Sequence, residues 1–211
     1  MNKTILKISL LITLLIPSVS MAIGIGPYGS FGIGKSKFEY ENEDANYKKH
    51  WKLFSMCYSF GLMIDTAVAK DKLFNYRMKM GYGLGTVEVK RQRTDTTTGL
   101  TTTVKEKNQV YDLSMYNDFG FGIVRSRYIR FWLGPQFGIN YSDEVNSDDF
   151  ESFSFKLGPV FGLNINAPKV FTFTIDFGIR FHMSFASEPG VHFGYEGFVT
   201  AGALFRIEDE F

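Results

Sequence analysis

Three sets of residues in this sequence could carry chemistry. The first is His182-Met183-Ser184 with Glu196 downstream, an imidazole, a hydroxyl and a carboxylate on two successive stretches. The second is a set of charges at alternate positions of otherwise apolar segments: Arg77, Lys79, Arg130, Lys156, Arg180 and Arg206 against Asp65, Asp112, Asp118, Asp176 and Glu196. The third is acidic. Glu39, Glu41, Glu43 and Asp44 in one polar stretch, and Asp143, Glu144, Asp148 and Asp149 in another, offer oxygen ligands of the kind that hold a divalent cation. Neither stretch has EF-hand spacing, so solvated loops are the expectation, with no metal site and no cofactor. Cys57 is the only cysteine, which excludes a disulfide framework and a thiolate cluster.

The elements that must position these groups read as β-strands. From Phe171 to Phe185 every odd residue is apolar and every even one is polar or glycine. Strand side chains alternate between two faces, so this segment has one greasy face, carrying Phe171, Phe173, Phe177, Phe181 and Phe185, and one polar face. The same period of two recurs in Leu73 to Gly85 and in Tyr128 to Tyr141. Further strands fit Ile23 to Phe38, Leu53 to Thr66, Val110 to Ile123, Phe153 to Ile165 and His192 to Ile207, which makes eight.

The first 22 residues read as a signal peptide. Lys3 and Lys7 precede an apolar run from Ile8 to Ile16, and Ser20-Met21-Ala22 is an A-x-A-like cleavage site. The run falls short of the roughly 20 apolar residues that span a bilayer as a helix. Residues 23–211 suit one domain, with no linker or shift in composition. A net charge of +1 implies neither nucleic acid nor an acidic membrane surface as partner. Mean hydropathy is −0.07, a value to which a wall that alternates lipid-facing and lumen-facing residues averages.

Parity alone does not say which face is outside, because a soluble barrel with its apolar set inward alternates as well. The polar set here is mostly Gly, Ser and Thr with sparse charges, suited to a narrow interior. The apolar set draws on 22 Phe and 11 Tyr, too many rings for the interior of eight strands. The greasy face is therefore expected to meet lipid. Three connections are short (Ala67 to Lys72, Val124 to Arg127, Asn166 to Val170), while the others include two long polar stretches, Glu39 to Lys52 and Glu88 to Gln109, then Ser142 to Ser152 and a brief Ala186 to Val191. An even strand number with short turns at one end and longer loops at the other is the plan of bacterial outer-membrane barrels.

On this pattern, and on the terminal Phe211, the chain resembles the small eight-stranded outer-membrane barrels, the group of the OmpA membrane domain and OmpX. The resemblance implies an all-β, antiparallel, up-and-down transmembrane barrel in the bacterial outer membrane. It also implies outer-membrane lipid as environment and the barrel-insertion machinery as a partner that reads Phe205, Ile207 and Phe211, although Asp209 departs from the alternation. With polar residues inward, Asp65, Arg77, Lys79, Asp112, Asp118, Arg130, Lys156, Asp176, Arg180, Glu196 and Arg206 are expected to form a charge network that plugs the lumen.

Two further expectations concern detail. Leu133-Gly134-Pro135-Gln136-Phe137-Gly138-Ile139-Asn140 matches Leu157-Gly158-Pro159-Val160-Phe161-Gly162-Leu163-Asn164, and proline inside a sheet predicts paired bulges at Pro135 and Pro159. His182, Ser184 and Glu196 are similar in spacing to the catalytic set of the lipid A 3-O-deacylases. That resemblance implies His182 activating a Ser184 nucleophile with Glu196 orienting the imidazole. Phe185 stands where that family has an oxyanion-hole Asn, and the three residues fall on lumen parity, so a satisfied lumen histidine is the expectation. The functional expectation is a monomer with a structural or surface-contact role through its loops, against an extracellular ligand or host surface. The threonine-rich stretch Thr94 to Thr103 is expected to extend a hairpin beyond the membrane and offer an edge. The alternative is a narrow channel for small or hydrophobic solutes.

Overall fold

The computed structural model describes residues 23–42, 47–66, 73–95, 97–126, 128–145, 151–167, 170–186 and 191–207. The expected leader and cleavage site in residues 1–22, together with Glu43, Asp44, Asp148, Asp149 and Phe211, lie outside them. Eight strands follow in order: β1 (Ile23–Asn42), β2 (Tyr47–Asp65), β3 (Phe74–Asp95), β4 (Thr101–Arg125), β5 (Ile129–Glu144), β6 (Glu151–Asn166), β7 (Phe171–Ala186) and β8 (Val191–Ile207). Each pairs antiparallel with the next, and β1 closes the ring on β8 from Ile23↔Ile207 to Lys37↔Phe193.

The two faces are inverted relative to a water-soluble protein. Phe60, Phe181 and Phe193 are 61%, 62% and 64% exposed on the outside, whereas Asp65, Arg77, Asp118 and Asp176 are 0% exposed inside. Leaving one large apolar side chain in water forgoes roughly 1.5–3 kcal/mol. A whole belt of them is tolerable only against hydrocarbon. Ring pairs strengthen the belt across strands, as at Phe171–Phe205 (4.5 Å between centroids) and Phe74–Phe121 (4.7 Å) toward the end where β1 begins and β8 finishes. Toward the other end Tyr82 stacks on Tyr111, whose hydroxyl donates to Asp143 at 2.5 Å. An apolar band flanked by aromatic residues is how such barrels meet a bilayer, with the termini on the periplasmic side.

The long polar connections are largely strand instead. β1 continues to Asn42 and pairs with β2 up to Asn42↔Tyr47, and β3 pairs with β4 as far as Thr94↔Thr101. Only 43–46 and 96–100 remain as connections. The second of these is closed by Asp95, whose side chain accepts from the amides of Thr97 (2.8 Å) and Thr98 (3.0 Å), and by Gly99 at φ 69°, a left-handed conformation that glycine adopts without strain. In the β3–β4 extension only Val89, Leu100 and Val104 are apolar between Glu88 and Gln109, too few to make the alternation that marks a strand in sequence. The barrel is thus lopsided. β4 pairs with β5 only from Val110↔Glu144, with the Gln109 carbonyl still accepting from the Val145 amide at 2.9 Å, so Thr101 to Asn108, roughly 27 Å of strand, rise with an edge unpaired among the described residues.

No bulge forms at the prolines. The register runs unshifted through Pro135↔Pro159. The cost appears on the far side of each strand, where pairing skips Phe119–Gly120 against Gly134–Pro135 and Pro159–Gly158 against Ile179–Arg180. Pro27 of β1 leaves the same gap against β8. Each of these prolines follows a glycine, and the neighbouring carbonyl that a proline N–H would have bonded (Phe119, Ile179 or Ala203) lies against the glycine Cα, where a Cβ would collide with it. Gly-Pro thus lets the strand lose a donor without leaving register. A register shift does occur between Gly122 and Val124, where Ile123 and Val124 both face outward just before the turn to β5.

Candidate functional site: a charged lumen and its mouth

Arg77, near the periplasmic end of β3, organises the lower lumen. Its guanidinium donates twice to Asp65 on β2 (3.0 and 2.5 Å), to Thr174 (2.6 Å) and Asp176 on β7, and to Asn164 on β6 (2.8 Å), and it lies 4.9 Å from the Trp132 ring centre. One turn of the pleat higher, Lys79 bridges Asp118 (2.8 Å) and Asp176 (3.1 Å). Asp118 also accepts from Gln136 at 2.5 Å, and Gln136 in turn accepts from Arg180. The Arg180 guanidinium is sandwiched between Tyr116 (3.8 Å) and Phe198 (3.6 Å) and donates to Glu196 (2.8 Å), which Lys156 meets at 2.6 Å. The chain of contacts crosses the barrel from β2 to β8.

Large rings share this interior, and glycines make room for them. Trp132 pairs in register with Gly162, Tyr116 with Gly138, and Phe198 with Gly178. A Cβ on Gly162 or Gly138 would run into the Trp132 or Tyr116 ring, and one on Gly178 would stand 3.0 Å from Phe198. Sequence reasoning passed over these residues together with Gln136, Asn164 and Thr174. The signal for the rings was present: Trp132, Tyr116 and Phe198 are aromatic residues on polar parity.

Above Glu196 the lumen opens into a cavity of about 100 Å³ whose lining includes Cys57, Asp112, Asn140, Lys156, His182 and Ser184. Asp112 is held by neutral donors, Cys57 Sγ (2.6 Å), Ser142 Oγ (2.7 Å) and Asn140 Nδ2 (3.5 Å). Leu53, Val87, Val89 and Val110 form an apolar cluster at the mouth. His182, Ser184 and Glu196 line the same cavity without contacting one another by hydrogen bonds among the described residues. Ser184 Oγ pairs with Ser154 Oγ at 2.7 Å, Glu196 is held by Lys156 and Arg180, and His182 Nδ1 has no partner. Of the remaining candidates, Arg130 is buried opposite Asn164, and Arg206 donates to the Ala167 carbonyl at 2.5 Å by the periplasmic turn. Phe205 and Ile207 face outward.

No family model and no curated protein sequence matches this chain. Solved structures do. The chain is similar to the outer membrane protein OprG from Pseudomonas aeruginosa at 11% identity and a TM-score of 0.51, over 90% of this chain and 98% of that one. It is similar to Neisserial surface protein A at 14% and 0.42, over 87% and 97%. A third likeness is to Ail, the attachment invasion locus protein of Yersinia pestis, at 13% and 0.37, over 89% and 100%. At such identities the likeness concerns the fold, and the fold is that of the small bacterial outer-membrane β-barrels.

Proposed function

We propose that this chain is a non-enzymatic outer-membrane protein that meets an external partner through the tall β1–β4 side of its barrel. The observation that carries this reading is the β3–β4 hairpin, which stands beyond the last β4–β5 pair with the edge of Thr101 to Asn108 unpaired among the described residues. A rigid closed scaffold that lifts one edge into the medium suits main-chain recognition of an extended segment. Val104 is 46% exposed on that strand. The ion network beneath it supports a plug rather than a pore, since the guanidinium and carboxylate groups of the lower lumen are already engaged with each other.

The test is attachment of a non-adherent bacterium expressing the full chain, to host cells and to its own kind, against a variant lacking Gln92 to Lys107. Normal folding with attachment lost supports the reading; attachment at the full level in the deletion rejects it. The enzymatic alternative finds no support in a Ser184 that is bonded to Ser154. Mass spectrometry of lipid A with and without expression tests it, and loss of one acyl chain would restore it. Planar-bilayer recording tests the channel, with silence as the expected result.

A further inference from the structure

The register of β1–β4 places Lys37 opposite Lys52, Lys52 opposite Lys90, and Lys90 opposite Lys105. Four lysines therefore form one straight row across four adjacent strands, all on the outward face. Neighbouring strands lie about 4.8 Å apart, so the row is roughly 14 Å long. One step nearer the membrane the row reads Lys35, Phe54, Glu88, Lys107, and Glu88 is its single carboxylate. Lys35, Lys37, Lys52, Lys105 and Lys107 are exposed, and Lys90 is half-buried. None of the six is in a salt bridge among the described residues.

Like charges directly opposite on a sheet repel, and at spacings below the Debye length of about 8 Å salt does not remove the repulsion. A chain with net charge +1 has no need to gather lysines in this way. The row lies above the lipid-facing belt on the same surface: six residues down each strand are Phe31, Tyr58, Leu84 and Tyr111. With strands tilted about 40°, that places the lysines roughly 15 Å above the ring belt. The headgroup layer of an ordinary phospholipid leaflet is only about 5–7 Å deep. The anions at the height of the row belong instead to a headgroup that carries phosphates on sugars.

From this geometry we propose that the outward face of β1–β4 is a docking site for a phosphorylated glycolipid of the outer leaflet, with Lys37, Lys52, Lys90 and Lys105 binding its sugar phosphates. The site uses outward side chains, Lys105 of the β4 edge strand among them, rather than the main-chain groups of that edge, and it holds the tall sheet against the membrane that surrounds it.

Native mass spectrometry of the full chain in detergent tests this with four probes: a purified lipopolysaccharide with a phosphorylated core, the same glycolipid after enzymatic dephosphorylation, phosphatidylglycerol, and inorganic phosphate. The wild type should retain the phosphorylated glycolipid alone. Each lysine near an anionic surface is worth about fivefold in binding, so the variant K37Q/K52Q/K90Q/K105Q should lose on the order of several hundredfold. Equal retention by variant and wild type overturns the site. So does equal retention of the dephosphorylated glycolipid, and retention of phosphatidylglycerol at the same level assigns the face to ordinary phospholipid and overturns the glycolipid. Displacement of the glycolipid by inorganic phosphate at millimolar concentration reduces the row to a general anion patch. A heat-dependent gel shift reports folding of the variant; if it fails, K52Q/K90Q and the wild-type thermal midpoint with each probe decide the same question.

Discussion

Cations occupy two settings in this barrel, and the settings obey opposite rules. In the lumen Arg77, Lys79, Lys156 and Arg180 each meet a carboxylate within 3.1 Å, and two of them also lie over aromatic rings within 5 Å. On the outward face of β1–β4, Lys37, Lys52, Lys90 and Lys105 meet one another instead. A charge taken out of water must be paired, because its desolvation is otherwise uncompensated. A charge at the surface carries no such demand, so an unpaired row there reports on what lies outside the chain. These four lumen cations are paired internally; among the described residues the outward lysines are not.

Breaking the lumen side of this contrast should have the largest effect. Arg77→Leu leaves Asp65 and Asp176 buried without their guanidinium, at about 3–5 kcal/mol. Urea unfolding in detergent, read by loss of the heat-dependent gel shift, should move to much lower denaturant. Adding Asp65→Asn and Asp176→Asn should restore much of the loss. An unchanged midpoint in the single variant would mean that the network does not hold the barrel together.

The space around that network is the next point to break. Gly162→Val sets a side chain where the Trp132 indole lies, an overpacking that costs roughly 1–3 kcal/mol. Gly162→Val with Trp132→Ala should be closer to wild type than the sum of the two single variants. Strict additivity in that cycle would show that the ring and the glycine do not share their space.

How much of this was legible in the sequence follows from what a strand pattern encodes. Alternation in Phe171 to Phe185 fixed which residues face lipid, because one face is apolar and the other is not. It failed from Glu88 to Gln109, where only Val89, Leu100 and Val104 are apolar and the strand carries little contrast. Since the lysine row lies partly in that stretch, and since Lys37, Lys52, Lys90 and Lys105 come together only through register, net charge alone hid it. The proline reading failed for a different reason. A lost donor can be absorbed by a neighbouring glycine, as at Gly134-Pro135, without the extra residue of a bulge.

That absorption is testable by the same kind of substitution. Gly134→Ala sets a methyl against the Phe119 carbonyl, a collision with backbone that should destabilise by roughly 1–3 kcal/mol as overpacking does. Pro135→Ala returns an N–H at the position facing that carbonyl and should be neutral or stabilising. The reverse ranking of the two variants would contradict the role assigned to the glycine.

The smallest effect sharpens the outward side of the contrast. Lys90 faces Lys52 on one side and Lys105 on the other, so Lys90→Gln removes two directly opposed like-charge pairs against one more distant carboxylate, Glu88, two residues along the same face. In detergent without glycolipid the variant should be as stable as the wild type, or more stable by roughly 0.2–1 kcal/mol. Raising the salt concentration should shrink that gain, because the repulsion it relieves is screened. Lys156→Gln in the lumen should behave oppositely, since it leaves Glu196 with Arg180 alone. A Lys90→Gln barrel that unfolds at lower urea would show that Lys90 holds an attractive contact within the chain, and the distinction between paired lumen and unpaired wall would no longer stand.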